Sequence, residues 1–179
     1  NYTFDGSSLS AGDYTVSVTA HDNDGASSVS TSESRKTIKV TRKTLFVAAE
    51  AGPLLAHGSY TGFAFVRTGM FIWLKPDKTS LTFTSGAAVP FKGAPWKAAI
   101  TTNLLGNIHF GKAFLGLGAG FMTKERSDRK TGIDGLGQLG VTLSNSYFSL
   151  WQLYFEFRVP IGRSFSDCHK MAVGLRYNF

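Results

Sequence analysis

The feature that most restricts what this chain can fold into is a two-residue alternation, clearest at its end. In Met171–Phe179, the residues Met171, Val173, Leu175, Tyr177 and Phe179 alternate with Ala172, Gly174, Arg176 and Asn178. A β-strand points successive side chains to opposite faces. One face of this strand is therefore apolar and ends in two aromatics, while the other is small or polar. That division suits a strand with lipid on one side and a lumen on the other. A soluble sheet shows the same alternation, so the argument rests on its repetition upstream.

Seven further segments of this kind precede it: Leu45–Ala51, Ser59–Leu74, Thr79–Phe91, Trp96–Leu105, Ile108–Met122, Ile133–Leu143 and Phe148–Ile161. In 148–161, Trp151, Leu153, Phe155, Phe157, Val159 and Ile161 oppose Gln152, Tyr154, Glu156, Arg158 and Pro160. In 96–105, Ile100 and Leu104 oppose Lys97, Thr101 and Asn103, and in 108–122, Leu115, Leu117 and Phe121 oppose Lys112, Phe114 and Gly116. The segment 59–74 is irregular, because Phe63, Phe65, Phe71 and Trp73 share parity with Arg67. A bulge near Gly69 is expected to reconcile them. The 20 glycines argue against helices, since Gly costs about 1 kcal/mol relative to Ala in a helix interior. No apolar run reaches the roughly 20 residues of a transmembrane helix. If the chain crosses a membrane, it does so as a barrel.

The connections alternate in length. Lys75-Pro76-Asp77-Lys78, Gly106-Asn107 and Ser144-Asn145-Ser146-Tyr147 are short, whereas Thr123–Gly132 and Gly162–His169 are long. Transmembrane barrels have short periplasmic turns and longer outer loops. An even strand count then returns both ends of the barrel to the turn side.

Residues 1–40 differ in texture, being rich in Ser, Thr, Asp and Asn, with strand-like runs at Asp13–Ala20 and Arg35–Val40. Between them, His21-Asp22-Asn23-Asp24-Gly25 is a dense turn signal. The Gly12-Asp13-Tyr14-Thr15-Val16-Ser17-Val18 strand running into Asp22-Asn23-Asp24-Gly25 resembles the closing part of a PKD-type immunoglobulin-like domain. That resemblance implies that Tyr14, Val16 and Val18 face a sandwich core, of which the chain carries about half. With no leader opening the chain at Asn1, the expectation is a mature protein or a fragment.

Residues 45–179 resemble a small eight-stranded outer-membrane barrel of the OmpA/OmpX type. The terminal Leu175-Arg176-Tyr177-Asn178-Phe179 is similar to the C-terminal Phe signal read by the outer-membrane assembly machinery. The resemblance implies an all-β chain, with a partial PKD-like segment at 1–41 and an antiparallel eight-stranded transmembrane β-barrel at 42–179. It implies an outer-membrane location with a periplasmic N-terminal segment, and Tyr177 and Phe179 as the assembly signal. Outer-membrane lipid, lipopolysaccharide and the assembly machinery are the implied partners, with a periplasmic or membrane protein complex as a further one.

Glu50, Arg67, Lys97, Lys112, Glu156, Arg158 and Arg176 fall on, or can be placed on, inward faces. A Lys or Arg facing lipid at mid-membrane costs about 2–4 kcal/mol, so the lumen is expected for all of them. Eight strands leave an interior just wide enough for side chains. Glu50, Glu156, Arg158 and Arg176 are expected to form one bridged network that blocks the bore; a narrow ion path is the rival. The net charge is +7, but the basic residues are scattered between strands, so nucleic acid is not an expected partner. Lys92, Lys124, Arg126, Arg129 and Lys130 sit in or beside long connections, as a solvated rim or one that pairs with lipopolysaccharide phosphates.

Signals for chemistry are sparse. His57-Gly58-Ser59 is similar to the His and Ser pairing of lipid A deacylase barrels, with Glu50 as a conceivable third member. Ser164, Ser166, Asp167 and His169 hold similar ingredients with less specificity. His21 and His109 have no companions at metal-ligand spacing and are expected in solvent-facing or strand-end roles. Cys168 is the sole cysteine and cannot form an internal disulfide. No cofactor or metal is expected. The sequence therefore reads as a non-enzymatic outer-membrane barrel anchoring its N-terminal module or a partner. A lipid A-modifying enzyme and a soluble lipocalin-like binding barrel are the rivals.

Overall fold

The computed structural model describes residues 12–19, 23–24, 26–27, 35–40, 43–56, 61–91, 97–123, 132–145, 149–161 and 169–179. The chain divides into two units, Asn1–Lys43 and Thr44–Phe179. In the first, β1 (Gly12–Ser17) pairs antiparallel with β2 (Arg35–Val40), from Gly12 opposite Val40 to Ser17 opposite Arg35. These two strands form a small sheet of their own. Tyr14 is half-buried, but Val16 and Val18 are 44% and 67% exposed. The sandwich core expected for them is not seen among the described residues.

The second unit is a closed antiparallel barrel. Its strands are β3 (Leu45–Ala56), β4 (Thr61–Lys75), β5 (Thr79–Pro90), β6 (Ala99–Phe110), β7 (Ala113–Met122), β8 (Gly132–Asn145), β9 (Leu150–Pro160) and β10 (Lys170–Asn178). Each pairs with the next, and β10 closes the ring on β3, with Arg176 opposite Glu50 and Tyr177 opposite Ala49. Closure leaves no sheet edge, which is what the interior of a bilayer demands of a strand-built structure.

Alternation runs around the whole wall and is inverted relative to a soluble protein. Val66, Leu117 and Leu139 point outward and are 61%, 65% and 61% exposed, while Arg67, Arg176 and Glu156 point inward and are fully buried. A soluble monomer rarely exposes more than a few hundred Å² of contiguous apolar surface. Here every barrel strand contributes an exposed apolar row.

Two local expectations are corrected. The turn after β6 is not at Gly106-Asn107, because the ladder runs through both, with Gly106 opposite Leu81 and Leu117. It lies at Gly111-Lys112, where Gly111 adopts φ +63°, a region Gly enters without the Cβ clash other residues meet. Gly-Asn is a turn-forming pair, but the unbroken parity of Leu105, Asn107 and His109 outweighs it. Nor does β4 carry a bulge at Gly69, which pairs in register with Ala48 and Thr84. The register shifts lie between Trp73 and Lys75 and between Thr142 and Ser144. Phe63, Phe65, Phe71 and Trp73 all point inward with Arg67, because the lumen has apolar layers above and below its charges.

The wall is close-packed at inward glycines. A Cβ on Gly86 would lie 2.0 Å from the Val66 carbonyl oxygen and 2.6 Å from the Arg67 Cα, whereas one on Gly137 would meet nothing within 4 Å. Gly86→Ala is expected to destabilise the barrel by about 1–3 kcal/mol, the usual cost of overpacking. Gly137→Ala should stay within about 0.5 kcal/mol of the parent. Urea midpoints in detergent micelles would check both.

Candidate functional site

The inward face sorts into layers along the barrel axis. At the end that carries the short turns, Phe46, Ala48, Phe71, Trp73 and Leu150 form an apolar layer. Phe71 meets Phe46 and Trp73 edge-on, with ring centroids 6.0 and 5.0 Å apart. At the opposite end, Leu54, Ala56, Phe63, Ala88, Ala99, Met122 and Ala172 form a second. Between them lies the charged layer, drawn from β3, β4, β9 and β10 and supported by polar side chains of β5, β6 and β8.

Arg67 on β4 joins that layer across the bore. Its Nε stands 2.9 Å from Glu50 Oε1 on the adjacent strand, and its two terminal nitrogens donate to the two oxygens of Glu156, both at 3.2 Å. β9 and β4 are separated by β10 and β3 around the ring, so this fork spans the lumen. Glu50 also accepts from Arg176 Nε at 3.1 Å, from the Tyr154 hydroxyl at 2.7 Å and from Thr84. Glu156 also accepts from Arg158 Nε at 2.8 Å, Asn103 at 3.0 Å and Gln138 at 2.7 Å. Every carboxylate oxygen thus receives at least two contacts from donor groups. Buried charges require this, because desolvating each ion costs several kcal/mol that only good geometry offsets.

All of the remaining guanidinium nitrogens but Arg158 Nη1 have hydrogen-bond partners. Arg176 donates to Gln138 Oε1 at 2.9 Å and Gln152 Oε1 at 3.2 Å, and Arg158 donates to Thr101 at 2.9 Å and to Asn103. Arg67 lies over the Phe65 ring at 4.2 Å and Arg176 over Tyr154 at 4.8 Å, placements that favour a partly desolvated cation. Tyr154 fits because its neighbour on β10 is Gly174, where a Cβ would fall 2.3 Å from the ring. Farther toward the long connections, Asp134 Oδ2 stands 3.5 Å from Arg158 and 3.7 Å from Lys170.

Of the residues assigned to the lumen from sequence, Glu50, Arg67, Glu156, Arg158 and Arg176 meet in this layer. Lys112 does not: it occupies the exposed turn at 111–112, a consequence of β6 running five residues past its expected end at Leu105. Lys97 is also exposed, ahead of β6. Tyr177 and Phe179 lie on the outer wall of the turn end, where Trp151 stacks on Tyr177 at 4.3 Å and Tyr177 on Phe179 at 5.4 Å.

The sequence reading missed the neutral partners Tyr154, Thr84, Asn103 and Gln138, and the pair Asp134 and Lys170. Shared inward parity with the charged residues was the available signal. His109 lies one residue from the end of β6, as one of its two expected roles has it, but faces the lumen rather than solvent, hydrogen-bonded through Nε2 to Ser80 Oγ at 2.9 Å and 4.5 Å from the Trp73 ring. Lys92, Lys124, Arg126, Arg129 and Lys130 lie outside the described residues, as do His21, Asp22, His57, Gly58, Ser59, Ser164, Ser166, Asp167 and Cys168. His169 is half-buried beside the Phe157 ring at 6.0 Å. Among the described residues no cluster of His, Cys, Asp and Glu has the makings of a metal site.

Glu156→Gln should lower the stability of the barrel by about 3 kcal/mol, because it leaves Arg67 and Arg158 without the negative charge between them. A double-mutant cycle with Arg158→Gln should return a coupling of about 1–3 kcal/mol, since the two share one network. Denaturant titrations of the four proteins in the same detergent would measure it.

No family model and no curated protein matches the chain. Solved structures do. The N-terminal β-barrel domain of Pseudomonas aeruginosa OprF aligns over 78% of this chain and all of its own, with TM-score 0.54 and 14% identity. Neisserial surface protein A (NspA) aligns over 78% of this chain and 98% of its own, with TM-score 0.51 and 12% identity. At these identities the likeness is one of fold: residues 44–179 form an eight-stranded closed antiparallel barrel similar to these outer-membrane barrels.

Proposed function

We propose that the chain is a non-enzymatic outer-membrane barrel whose work is mechanical, anchoring its N-terminal unit or a partner complex at the membrane. The observation that carries this reading is the inverted wall joined to a filled lumen. An outward face of Leu, Val, Ile and Phe suits lipid, and a charged layer held between two apolar layers leaves no aqueous bore. A soluble lipocalin-like barrel needs the opposite arrangement, with apolar side chains facing an internal ligand cavity.

In this reading the short turns face the periplasm and the N-terminal segment lies there too, since the chain enters β3 at the turn end. The basic residues Lys92, Lys124, Arg126, Arg129 and Lys130 belong to the opposite side, where lipopolysaccharide phosphates are their partners. Tyr177 and Phe179, on the lipid-facing parity of β10, serve the assembly machinery. Deleting Phe179 should deplete the protein from outer membranes in cells while leaving refolding in detergent intact; normal cellular levels would count against this role. The enzymatic rival places a nucleophile at Ser59, and an unchanged lipid A mass on replacing Ser59 in the native host excludes it.

The membrane reading is tested by gel mobility and fractionation. The unheated protein should migrate faster than the boiled one, as a detergent-resistant closed sheet does, and should resist extraction by salt. Planar-bilayer recordings should show little or no steady conductance. Identical mobility together with salt extraction would refute the membrane assignment, and a large stable channel would refute the filled bore.

A further inference from the structure

The corrected position of the β6–β7 turn moves Lys112 from the lumen to the short-turn rim, and this changes the character of that rim. Lys75 and Lys78 flank the β4–β5 turn and Lys112 lies in the β6–β7 turn, all three exposed. Asp77 is the one acidic residue in the described part of these turns. The outer wall of the same end carries aromatics: Phe110, 66% exposed at the end of β6 and two residues from Lys112, and, across the ring on β9 and β10, the Trp151–Tyr177–Phe179 stack. Trp and Tyr favour the headgroup depth of a bilayer, where one side of the ring is apolar and the other wet. Lysines just beyond such aromatics reach phosphate with their ammonium groups while their methylene stems stay against apolar surface.

We infer that the short-turn rim is a binding surface for anionic phospholipid headgroups, with Lys75, Lys78 and Lys112 taking the phosphates and the Phe110 and Trp151–Tyr177–Phe179 band fixing their depth. This rests on the membrane reading above and adds a lipid preference to it. Cations without the aromatic band would suit any dissolved polyanion. Adjacent to an outward apolar wall, they match a molecule with a phosphate at one end and acyl chains at the other. The leaflet at the turn end is therefore selected for acidic phospholipid around this protein.

The full chain is reconstituted in equimolar phosphatidylglycerol and phosphatidylcholine vesicles and recovered in detergent, and the co-purifying lipid is quantified by mass spectrometry. A lysine near an anionic surface contributes about fivefold, so a phosphatidylglycerol enrichment of roughly fivefold over the vesicle composition is expected. The triple variant Lys75→Gln, Lys78→Gln, Lys112→Gln should bring this close to parity, and the matching triple Lys→Arg variant should retain it. Undiminished enrichment in the Gln variant, with mobility still that of a folded barrel, overturns the inference. So does loss of the wild-type enrichment to millimolar inorganic phosphate or to an oligonucleotide, either of which marks a generic anion surface. Failure of the wild type to insert into vesicles of either composition, with or without phosphatidylglycerol, overturns the membrane reading itself, and the lipid preference with it.

Discussion

The interior of this barrel depends on one side chain, Arg67, which reaches two carboxylates from different sectors of the wall. Glu50 lies beside it on β3 and Glu156 faces it across the bore from β9. With Arg67 in place, Arg176 and Arg158 each hold the outer side of one carboxylate, and the layer becomes continuous. Without it, the two acids would sit buried with one arginine apiece and an empty centre. Attraction between such charges is strong in a low-dielectric interior, but so is the cost of stripping their water. Both apply here because the apolar layers on either side keep water from the network.

A well-packed apolar interior would often be as stable as a buried salt-bridge cluster, so stability alone does not account for the charges. Specificity does. The outer wall of this barrel is apolar, and a strand apolar on both faces could pair in either orientation, since a one-residue slip moves each side chain to the other face. Glu50 on β3, Arg67 on β4, Glu156 and Arg158 on β9 and Arg176 on β10 oppose that slip, because it would move them onto the apolar outer wall. The charged layer therefore tells each of four strands which face is inside.

This logic also explains what could be read from the sequence. Parity identified the strands of the barrel, its outward apolar rows and five of the charged residues of the lumen, because period-two alternation carries across the wall, but it missed Asp134 and Lys170 and drew in Lys97 and Lys112. It failed where apolar and charged residues share a face. Phe63, Phe65, Phe71 and Trp73 suggested a break in β4, whereas they fill the layers above and below Arg67. Gly106-Asn107 suggested a turn, but Asn107 instead donates to Ser80 and Thr82 at 3.1 and 3.0 Å inside the lumen. Composition could not separate these cases, because Asn and Gly serve turns and crowded lumens equally well. The immunoglobulin-like resemblance of the first forty residues rested on a local strand pattern, and a local pattern cannot specify the missing sheets of a sandwich.

The filled lumen narrows where function can reside. Glu50, Arg67, Glu156, Arg158 and Arg176 are at most 3% exposed, so among the described residues this layer presents almost no surface to solvent. What remains accessible is the apolar outer wall and the two rims, which are formed by the strand ends. On the turn side those ends include the chain entering β3 at Thr44, whose carbonyl oxygen is tied to the Trp73 backbone amide at 2.7 Å. That bond ties the first residue of the barrel unit to the neighbouring strand β4. Shearing a closed ladder requires many hydrogen bonds to yield together, a rigidity on which the proposed anchoring role would draw.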